Sequence, residues 1–328
     1  MDALPILEES MSTMVKRRVH VAAAAIISRD SRRVLIARRP SNVDQGGLWE
    51  FPGGKLAPYE TGFEALKREL HEELGVEIQR AQPLIRVHHE YPDKHILLDV
   101  WQVLTFAGEP FGREGQAVRW VPMDELYNYP FPAANLPILR AVMLPTEYLI
   151  SDEEVDDEVF LAKLGRALRE DGISLVQLRA KTLDRDAYLK RAEKALGLCR
   201  EHGARLLLNG EPELLRSLDA DGVHLTSERL MSLERRPIAE DKWLSASTHD
   251  RAQLDQAKRI GCDFVTLSPL RTTPSHPEVE PLGWHDFQQL VETAGMPVFA
   301  LGGMTRHDAD HARAVGAQGI ASIRDFWK

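Results

Sequence analysis

Hydrophobic and polar positions alternate along the first 145 residues in a way that predicts a mixed β-sheet flanked by helices. A helix is predicted from Leu136 to Met143. It should stop there because Pro145, in the junction Leu144-Pro145-Thr146, disfavours continuing it. Five runs have the length and residue types of strands: VHVAAAAII from Val19, VLIARR from Val34, LIRVHHEY from Leu84, HILLDVWQVLTF from His95 and AVRWVPM from Ala117.

Beyond the junction the pattern becomes a regular alternation of strands with helical or polar segments. Eight strand-like runs follow one another at spacings of roughly 20 to 35 residues. They are EYLIS, SLVQLR, RLLLN, GVHL, WLSAST, FVTLSP, VFALGG and GIASI. The same alternation is compatible with a doubly wound open sheet. The count of eight favours a (β/α)8 TIM barrel, and the chain is predicted to be α/β throughout.

Length and composition describe a two-domain globular protein. At 328 residues the chain suits two domains, with 43% hydrophobic and 28% charged residues. The formal net charge of −9 argues against binding of a nucleic acid polymer. No apolar run reaches the ~20 residues that span a bilayer, so no membrane partner is expected. Cys199 and Cys262 fit no zinc spacing and predict buried thiols in a reducing cytoplasm.

These observations predict three segments. Residues 1–17 form a flexible N-terminal tail, since their acidic residues do not suit a signal peptide. Residues 18–145 form the first domain, and residues 146–328 form the barrel.

The stretch from Gly54 to Val76, GKLAPYETGFEALKRELHEELGV, carries the chemistry of the first domain. It fits the pattern G-x5-E-x7-R-E-U-x-E-E-x-G-U, in which U is aliphatic. Within it, Glu69, Glu72 and Glu73 fall on one helix face, where their charges repel unless a hard divalent cation joins them. Arg68 can orient one of these carboxylates by a bidentate pair. A solvated acidic face would explain three glutamates. It would not explain the fixed offsets of the other pattern residues, Gly54, Glu60, Arg68 and Gly75.

This stretch resembles the Nudix box, and the first domain is similar to the MutT type of Nudix hydrolase. Further similar stretches are IARR, LWEFPGGK, EYPDKHI, GEPFGREGQ and FPAAN. The resemblance implies an αβα sandwich that uses Mg²⁺, with Mn²⁺ as a substitute, to hydrolyse a nucleoside triphosphate. It implies catalytic roles for Arg68 and for four glutamates, Glu69, Glu72, Glu73 and Glu114, and metal ligation by the same four glutamates together with Gly53. It implies nucleotide contacts from Arg39, Phe51, Asn135 and His20, the last replacing an apolar residue near the base.

The asparagine is chemically suited to an oxidised guanine. Its amide both donates and accepts, so Asn135 can pair with O6 and a protonated N7, whereas guanine presents a bare acceptor at N7. Taken alone, this asparagine is an N-cap for the following helix. The MutT resemblance implies hydrolysis of 8-oxo-dGTP by attack at the β-phosphorus, releasing 8-oxo-dGMP and pyrophosphate.

The barrel resembles thiamine phosphate synthase and its TenI relatives. The resemblance implies that the barrel binds a phosphorylated small molecule. The residues implied to contact it are Gln177, Arg179, Lys181, Asn209, Gly302 and Gly303. Three positions depart from it: Gly210 and Arg229 replace aspartates that bind Mg²⁺ in the synthase, and His276 replaces a lysine. Without those ligands the charge of a diphosphate is not stabilised, so loss of synthase activity is expected.

Three functions remain open from the sequence. The first is a nucleotide-sanitising diphosphatase that carries an inactive barrel. The second is a hydrolase of thiamine diphosphate-like compounds, suggested by the fusion. The third makes the barrel a ligand-sensing module that regulates the first domain.

Overall fold

The computed structural model describes residues 17–30, 32–273 and 279–328. The predicted tail lies outside these ranges except for Arg17, which already opens the first strand. His276 also lies outside them. No helix in the described ranges is both long and apolar enough to cross a membrane.

The N-terminal module, residues 17–143, is built on a seven-stranded mixed sheet. Its strands are β1 (Arg17–Ile27), β2 (Arg33–Arg38), β3 (Trp49–Glu50), β4 (Gly53–Lys55), β5 (Glu77–Glu90), β6 (Lys94–Ala107) and β7 (Val118–Pro122). The order is β3-β2-β1-β6-β5, with β4 beside β1 and β7 beside β2. Only β1 and β6 pair in parallel. All five predicted strands are confirmed, and the two short strands β3 and β4 are additional.

Two helices cover the two faces of this sheet. Because side chains alternate along a strand, Ala22 and Ala24 of β1 pack on α1 (Gly62–Leu74), while Ala23 and Ala25 belong to the cluster under α2 (Leu136–Met143). We refer to these as the α1 face and the α2 face. The bounds of α2 are those predicted from the sequence.

Helix α1 has strong signals at both ends. It begins with a capping box, in which the Thr61 N–H donates to Glu64 Oε2 at 2.8 Å and the Thr61 hydroxyl accepts from the Glu64 N–H at 3.3 Å. It ends at Gly75, whose φ of 70° is readily adopted by glycine. The acidic motif is therefore held on a helix with defined ends.

The second half is a closed barrel of eight parallel strands. Its strands are β8 (Glu147–Ile150), β9 (Leu175–Leu178), β10 (Arg205–Asn209), β11 (Gly222–Leu225), β12 (Trp243–Thr248), β13 (Phe264–Leu267), β14 (Val298–Ala300) and β15 (Gly319–Ser322). Its helices are α3 (Asp157–Arg169), α4 (Arg185–Glu201), α5 (Ser227–Ser232), α6 (Arg251–Arg259), α7 (Gly283–Ala294) and α8 (Ala309–Ala314). The barrel prediction is confirmed, and closure excludes the open sheet.

The barrel interior is filled by aromatic side chains. Tyr148, Phe264 and Phe299 lie with ring centroids 5.4–5.5 Å apart. The larger apolar cluster lies outside the strands, under the helices, and contains both cysteines, which are buried as predicted.

The N-terminal module contacts the end of the barrel where the strands begin. Leu144, directly after α2, belongs to the cluster inside the barrel. Arg86 of β5 lies 3.2 Å from Glu292 of α7, and Arg313 of α8 donates to Gln102 of β6 at 3.1 Å. Among the described residues, the N-terminal module does not cover the other end of the barrel, where the strands finish and a cavity lies. In TIM barrels that end carries the active site.

Candidate active site

Arg68 is the centre of the acidic motif on α1. It makes a bidentate pair with Glu60, Nε to Oε1 and Nη2 to Oε2, both at 2.9 Å. Its Nη1 donates to Glu69 Oε1 at 2.7 Å and lies 3.4 Å from Glu72 Oε2. Hydrogen bonding to Arg68 lowers the pKa of Glu60. The Arg68 guanidinium thus links its own helix position to Glu60, eight residues earlier in the motif. It also orients two of the proposed metal ligands, Glu69 and Glu72.

Two glycines let the loop before the helix approach these carboxylates. A Cβ on Gly54 would lie 2.2 Å from Cδ of Glu69, and a Cβ on Gly53 would lie 2.1 Å from the Ala22 carbonyl oxygen. Gly53 also has a φ of 146°, which other residues rarely adopt. Its N–H donates to Glu73 Oε2 at 3.2 Å. At Gly53 a side chain would meet backbone, and at Gly54 it would displace the Glu69 carboxylate, so the loop backbone lies directly against the carboxylates.

Glu73 is the most perturbed carboxylate of the site. Burial, followed by the charge of Glu50 and, more weakly, of Glu69 and Glu114, raises the pKa of Glu73 to about 8. Glu50 itself is mostly buried, and burial raises its pKa although Arg39 opposes the shift. Several carboxylates therefore lie close enough to Glu73 to repel it, and a bound cation would relieve this repulsion.

Glu114 is brought to this point by a loop attached to the end of α1. The N–H groups of Phe111 and Arg113 donate to the carbonyl oxygens of Leu74 and Glu73 at 3.2 and 2.9 Å. The Gln116 amide also donates to the Glu73 carbonyl oxygen, at 3.1 Å, and accepts from the Glu114 N–H at 2.9 Å. Carbonyl groups at the end of a helix lack partners within it, so this loop both completes α1 and positions Glu114.

The predicted ligands suit a divalent cation in kind, although they are not yet arranged around one. In the described part of the chain, no three His, Cys, Asp or Glu side chains form a ready-made metal site. Arg68 accounts for this, because it holds Glu69 and Glu72. The donors are oxygens, as hard divalent cations prefer, and the absence of a side chain at Gly54 lets the Glu69 carboxylate lie against the loop backbone. These carboxylates therefore suit a divalent cation, provided that the side chains of Glu69 and Glu72 rotate away from the Arg68 guanidinium when the ion binds.

Arg39 lies beside the acidic cluster, as a phosphate-binding residue should. Its guanidinium pairs with Glu50 and donates to the Asp44 carbonyl oxygen at 2.9 Å. Glu50 was not predicted as a site residue from the sequence. The available signal was its place between Trp49 and Phe51 in LWEFPGGK, next to the predicted base-stacking residue.

Phe51 and Asn135 both belong to the α2 face. Phe51 is 3% exposed and stacks on Phe131 with centroids 5.7 Å apart. Asn135 ends a 3₁₀ turn before α2 and is 9% exposed, yet its side chain caps no helix N–H group. Asn135 therefore occupies the N-cap position of α2 without making a capping hydrogen bond. No hydrogen bond is found between this buried amide and the rest of the described chain, so it is free to meet a ligand.

The structure does not place His20 with the other predicted nucleotide-binding residues. Its Nε2 is 3.9 Å from Oδ2 of Asp99, and Asp99 lies beside Gly62 at the start of α1. His20 is therefore on the α1 face, opposite Asn135. The physical reason is the two-residue period of a strand, which turns the neighbouring Val21 to the α2 face instead.

The barrel has a cavity of about 740 Å³ beyond the ends of β9, β10 and β11. Of the six predicted barrel residues, Lys181 and Asn209 line it, together with Gly210, Arg185 and Arg229. Both arginines lie 3.5 Å from carboxylate oxygens of Glu211. The cavity is thus lined by three cationic and two acidic side chains, the latter Glu211 and Glu228, and Gly210 and Arg229 stand where the resemblance implied metal-binding aspartates.

The other four predicted barrel residues lie outside this cavity. Gln177 is buried inside the barrel and donates to the Tyr148 hydroxyl at 3.2 Å, while Arg179 lies 3.5 Å from Glu153. Gly302 and Gly303, with φ of 106° and 70°, contact the segment after β13. The predicted set is therefore not gathered into one site.

Known proteins match the two halves separately. A NUDIX domain model matches residues 22–141, and a thiamine monophosphate synthase model matches residues 147–326. The CTP pyrophosphohydrolase of Escherichia coli is 42% identical over 37% of this chain and 88% of its own length. The 8-oxo-dGTP diphosphatase of Escherichia coli is 38% identical over 36% of this chain and 91% of its own length.

The barrel has relatives of its own. A putative thiamine-phosphate synthase 2 of Aquifex aeolicus is 35% identical over 56% of this chain and 98% of its own length. The match spans only 43% to 50% of the thiamine-phosphate synthases of Prochlorococcus marinus and Synechococcus sp. (strain WH7803). The chain belongs to the Nudix family of hydrolases acting on phosphoric anhydrides through its N-terminal module, and to the thiamine monophosphate synthase family through its barrel.

Proposed function

We propose that the N-terminal module hydrolyses 8-oxo-dGTP to 8-oxo-dGMP and pyrophosphate with Mg²⁺, or Mn²⁺ in its place. The observation that carries this proposal is Asn135, a buried amide without a hydrogen bond in the described chain, on the same face as Phe51. An amide can accept from the protonated N7 of an oxidised guanine while donating to O6. Guanine would place an acceptor against an acceptor, which costs several kcal/mol.

The chain's own residues divide the work of hydrolysis. A divalent cation, when bound, would neutralise phosphate oxygens and lower the pKa of the attacking water. Glu69, Glu72, Glu73 and Glu114 would hold it, with the Gly53 carbonyl oxygen as a further ligand. Arg68 orients Glu69, and proton removal from water is shared among the carboxylates.

Arg39 supplies positive charge for the phosphates. In the structure its charge is balanced by Glu50, and the guanidinium is already held in place by Glu50 and the Asp44 carbonyl oxygen. When a triphosphate binds, its phosphate oxygens would replace some of these contacts of the Arg39 guanidinium. A guanidinium can donate two parallel hydrogen bonds to a phosphate group.

A pyrimidine nucleotide is the second candidate substrate. The CTP pyrophosphohydrolase relative is 42% identical, slightly above the 8-oxo-dGTP diphosphatase relative. The amide of Asn135 could also pair with the amino group and N3 of cytosine. A thiamine diphosphate-like substrate is supported only by the fusion to the barrel.

For the barrel we propose a binding role for a phosphorylated small molecule without synthase activity. Gly210 and Arg229 line the cavity where the resemblance implied Mg²⁺-binding aspartates. Lys181, Arg185 and Arg229 outnumber the two acidic residues of the lining, Glu211 and Glu228, and a phosphate group could take the place of Glu211 beside the two arginines.

A substrate screen tests the assignment. The full chain is incubated with Mg²⁺ and equal low concentrations of 8-oxo-dGTP, dGTP, CTP or thiamine diphosphate, and phosphate is measured in the presence of pyrophosphatase. We expect kcat/KM for 8-oxo-dGTP to exceed that for dGTP by about 100-fold or more. Preference for CTP or thiamine diphosphate would replace the first candidate by the second or third.

A further inference from the structure

The helix that follows Asn135 ends against the barrel, and barrel side chains complete it. The Gln318 amide donates to the carbonyl oxygens of Ala141 and Leu144 at 3.0 and 3.1 Å. Arg205 Nη2 donates to the Met143 carbonyl oxygen at 2.7 Å. The last carbonyl groups of a helix have no partner within it, and the following proline has no N–H to offer. Two barrel residues thus satisfy the end of α2.

Charge reinforces this contact. Arg140, on the last turn of α2, lies 2.5 Å from Asp263, which is 4% exposed. Asp263 is itself fixed by the Leu244 N–H at 2.7 Å and by Arg236 Nη2 at 3.0 Å. The guanidinium of Arg205 also suits the partial negative charge at the end of a helix. The end of α2 is therefore held in one orientation by buried groups of the barrel.

The other end of α2 is the residue proposed to read the base. The helix has eight residues, about 12 Å in length, and Asn135 occupies its N-cap. No hydrogen bond to the described chain orients the Asn135 side chain. Its direction is set by the backbone of α2 and the 3₁₀ turn Ala133–Asn135, so a tilt of the helix would move the amide directly.

We infer that Arg205 and Gln318 of the barrel are positioning residues for nucleotide recognition. By fixing the end of α2, they hold the Asn135 amide at the place and angle that base pairing requires. The inference rests on the proposed function of Asn135. It gives the barrel a part in hydrolysis that requires no barrel ligand.

The first test compares Arg205→Met with Arg200→Met in the full chain. Arg200 is the matched control because its Nη2 also donates to a carbonyl oxygen, that of Asp219 at 2.8 Å, but within the barrel. We expect Arg205→Met to raise KM for 8-oxo-dGTP by about tenfold with kcat nearly unchanged, since small misplacements of binding groups have effects of this order. Arg205→Lys should restore most of the loss, and Arg200→Met should behave as wild type.

A double-mutant cycle shows whether the effect passes through Asn135. In an Asn135→Ala background, Arg205→Met should add no further loss, because groups acting through one another are not additive. Gln318→Met, which keeps the side-chain length and removes the donor, provides a second cycle. Equal losses in both backgrounds, an unchanged KM, or a fall in kcat that follows the melting temperature would overturn the inference.

The same cycle separates this inference from the substrate assignment. If another triphosphate is hydrolysed faster, the cycle is measured with that substrate. Coupling between Arg205 and Asn135 would then support the inference while the assignment to 8-oxo-dGTP fails. Absence of coupling with the preferred substrate would overturn the inference whichever nucleotide that is.

Discussion

Individual side chains at the hydrolytic site differ in how far the sequence could predict them. The motif spacing predicted that Glu69, Glu72 and Glu73 share a helix face, because helix geometry is local. Glu50 could not be found in this way, since its pairing with Arg39 depends on β2 and β3 lying side by side. Glu73 was predicted as a ligand, but its burial beside Glu50 required the folded structure.

We expect Glu73→Gln to reduce hydrolysis by at least about 100-fold, because it removes a carboxylate from the point where the phosphates are neutralised. The melting temperature should not fall, since with a pKa of about 8 the Glu73 carboxyl is mostly neutral at pH 7 without metal, and an amide oxygen can still accept from the Gly53 N–H. Steady-state turnover and thermal unfolding measure both effects. Glu77→Gln, at an exposed position on β5, is the control. Near-wild-type turnover of Glu73→Gln would show that the metal assignment is wrong.

His224, inside the barrel, predicts a dependence of stability on pH. Burial lowers the pKa of His224 to about 3, and both ring nitrogens contact hydroxyl groups, Nδ1 at 3.0 Å from Ser245 and Nε2 at 2.9 Å from Ser247. Below pH 6.5 the unfolded chain takes up a proton that the folded chain does not, so stability is lost as pH falls from 6.5 toward 3.

Between pH 7 and pH 5 the free energy of unfolding of the barrel should fall by about 2 kcal/mol. It is measured by urea unfolding at each pH, in wild type and in His224→Gln. The variant should be less stable at pH 7 but should lack this part of the pH dependence. An equal dependence in both proteins would contradict the assignment of the effect to His224.

At the scale of elements, strands and helices with a clear period were predicted well and the face that each residue occupies was not. The five longer strands and α2 were found because their apolar runs are long enough to show a pattern. β3 and β4, with two and three residues, are too short to show one. The structure places His20 on the α1 face, away from Asn135, because a shift of one residue along a strand reverses the face.

Because neighbouring side chains of β1 point to opposite faces of the sheet, substitutions at Val21 and His20 test which face binds the nucleotide. Val21→Ala should raise KM for the nucleotide about threefold or more, because it removes apolar contact on the face that carries Asn135 and Phe51. His20→Ala should leave KM within about twofold, since its side chain lies on the α1 face near Asp99. Steady-state kinetics on both variants decides the matter. The opposite pattern would return His20 to the nucleotide site.

At the scale of the whole molecule, the sequence predicted two folds but not how they meet. Eight regularly spaced apolar runs were enough to predict a barrel, because eight parallel strands can close on themselves. Contacts between the halves come from Arg205, Asp263 and Gln318, which are distant in sequence from α2. Such contacts leave no periodic signal, so only the structure shows which end of the barrel faces the N-terminal module.

We expect the full chain to form no thiamine phosphate from the pyrimidine diphosphate and thiazole phosphate with Mg²⁺. The reason is that Gly210 and Arg229 leave no carboxylate at either of the two implied metal positions. Product is measured by chromatography, with nucleotide hydrolysis by the same sample as the control for folded protein. Formation of thiamine phosphate at a catalytic rate would contradict this prediction.

The end-on contact between the two halves also affects how a product released by one half can reach the other. The module closes the end where the barrel strands begin, while the barrel cavity opens where β9 to β11 finish. We therefore expect a product of one half to reach the other through bulk solution. There it is diluted and exposed to competing enzymes. Fusion thus guarantees equal copy numbers of the two halves but gives neither of them privileged access to what the other releases.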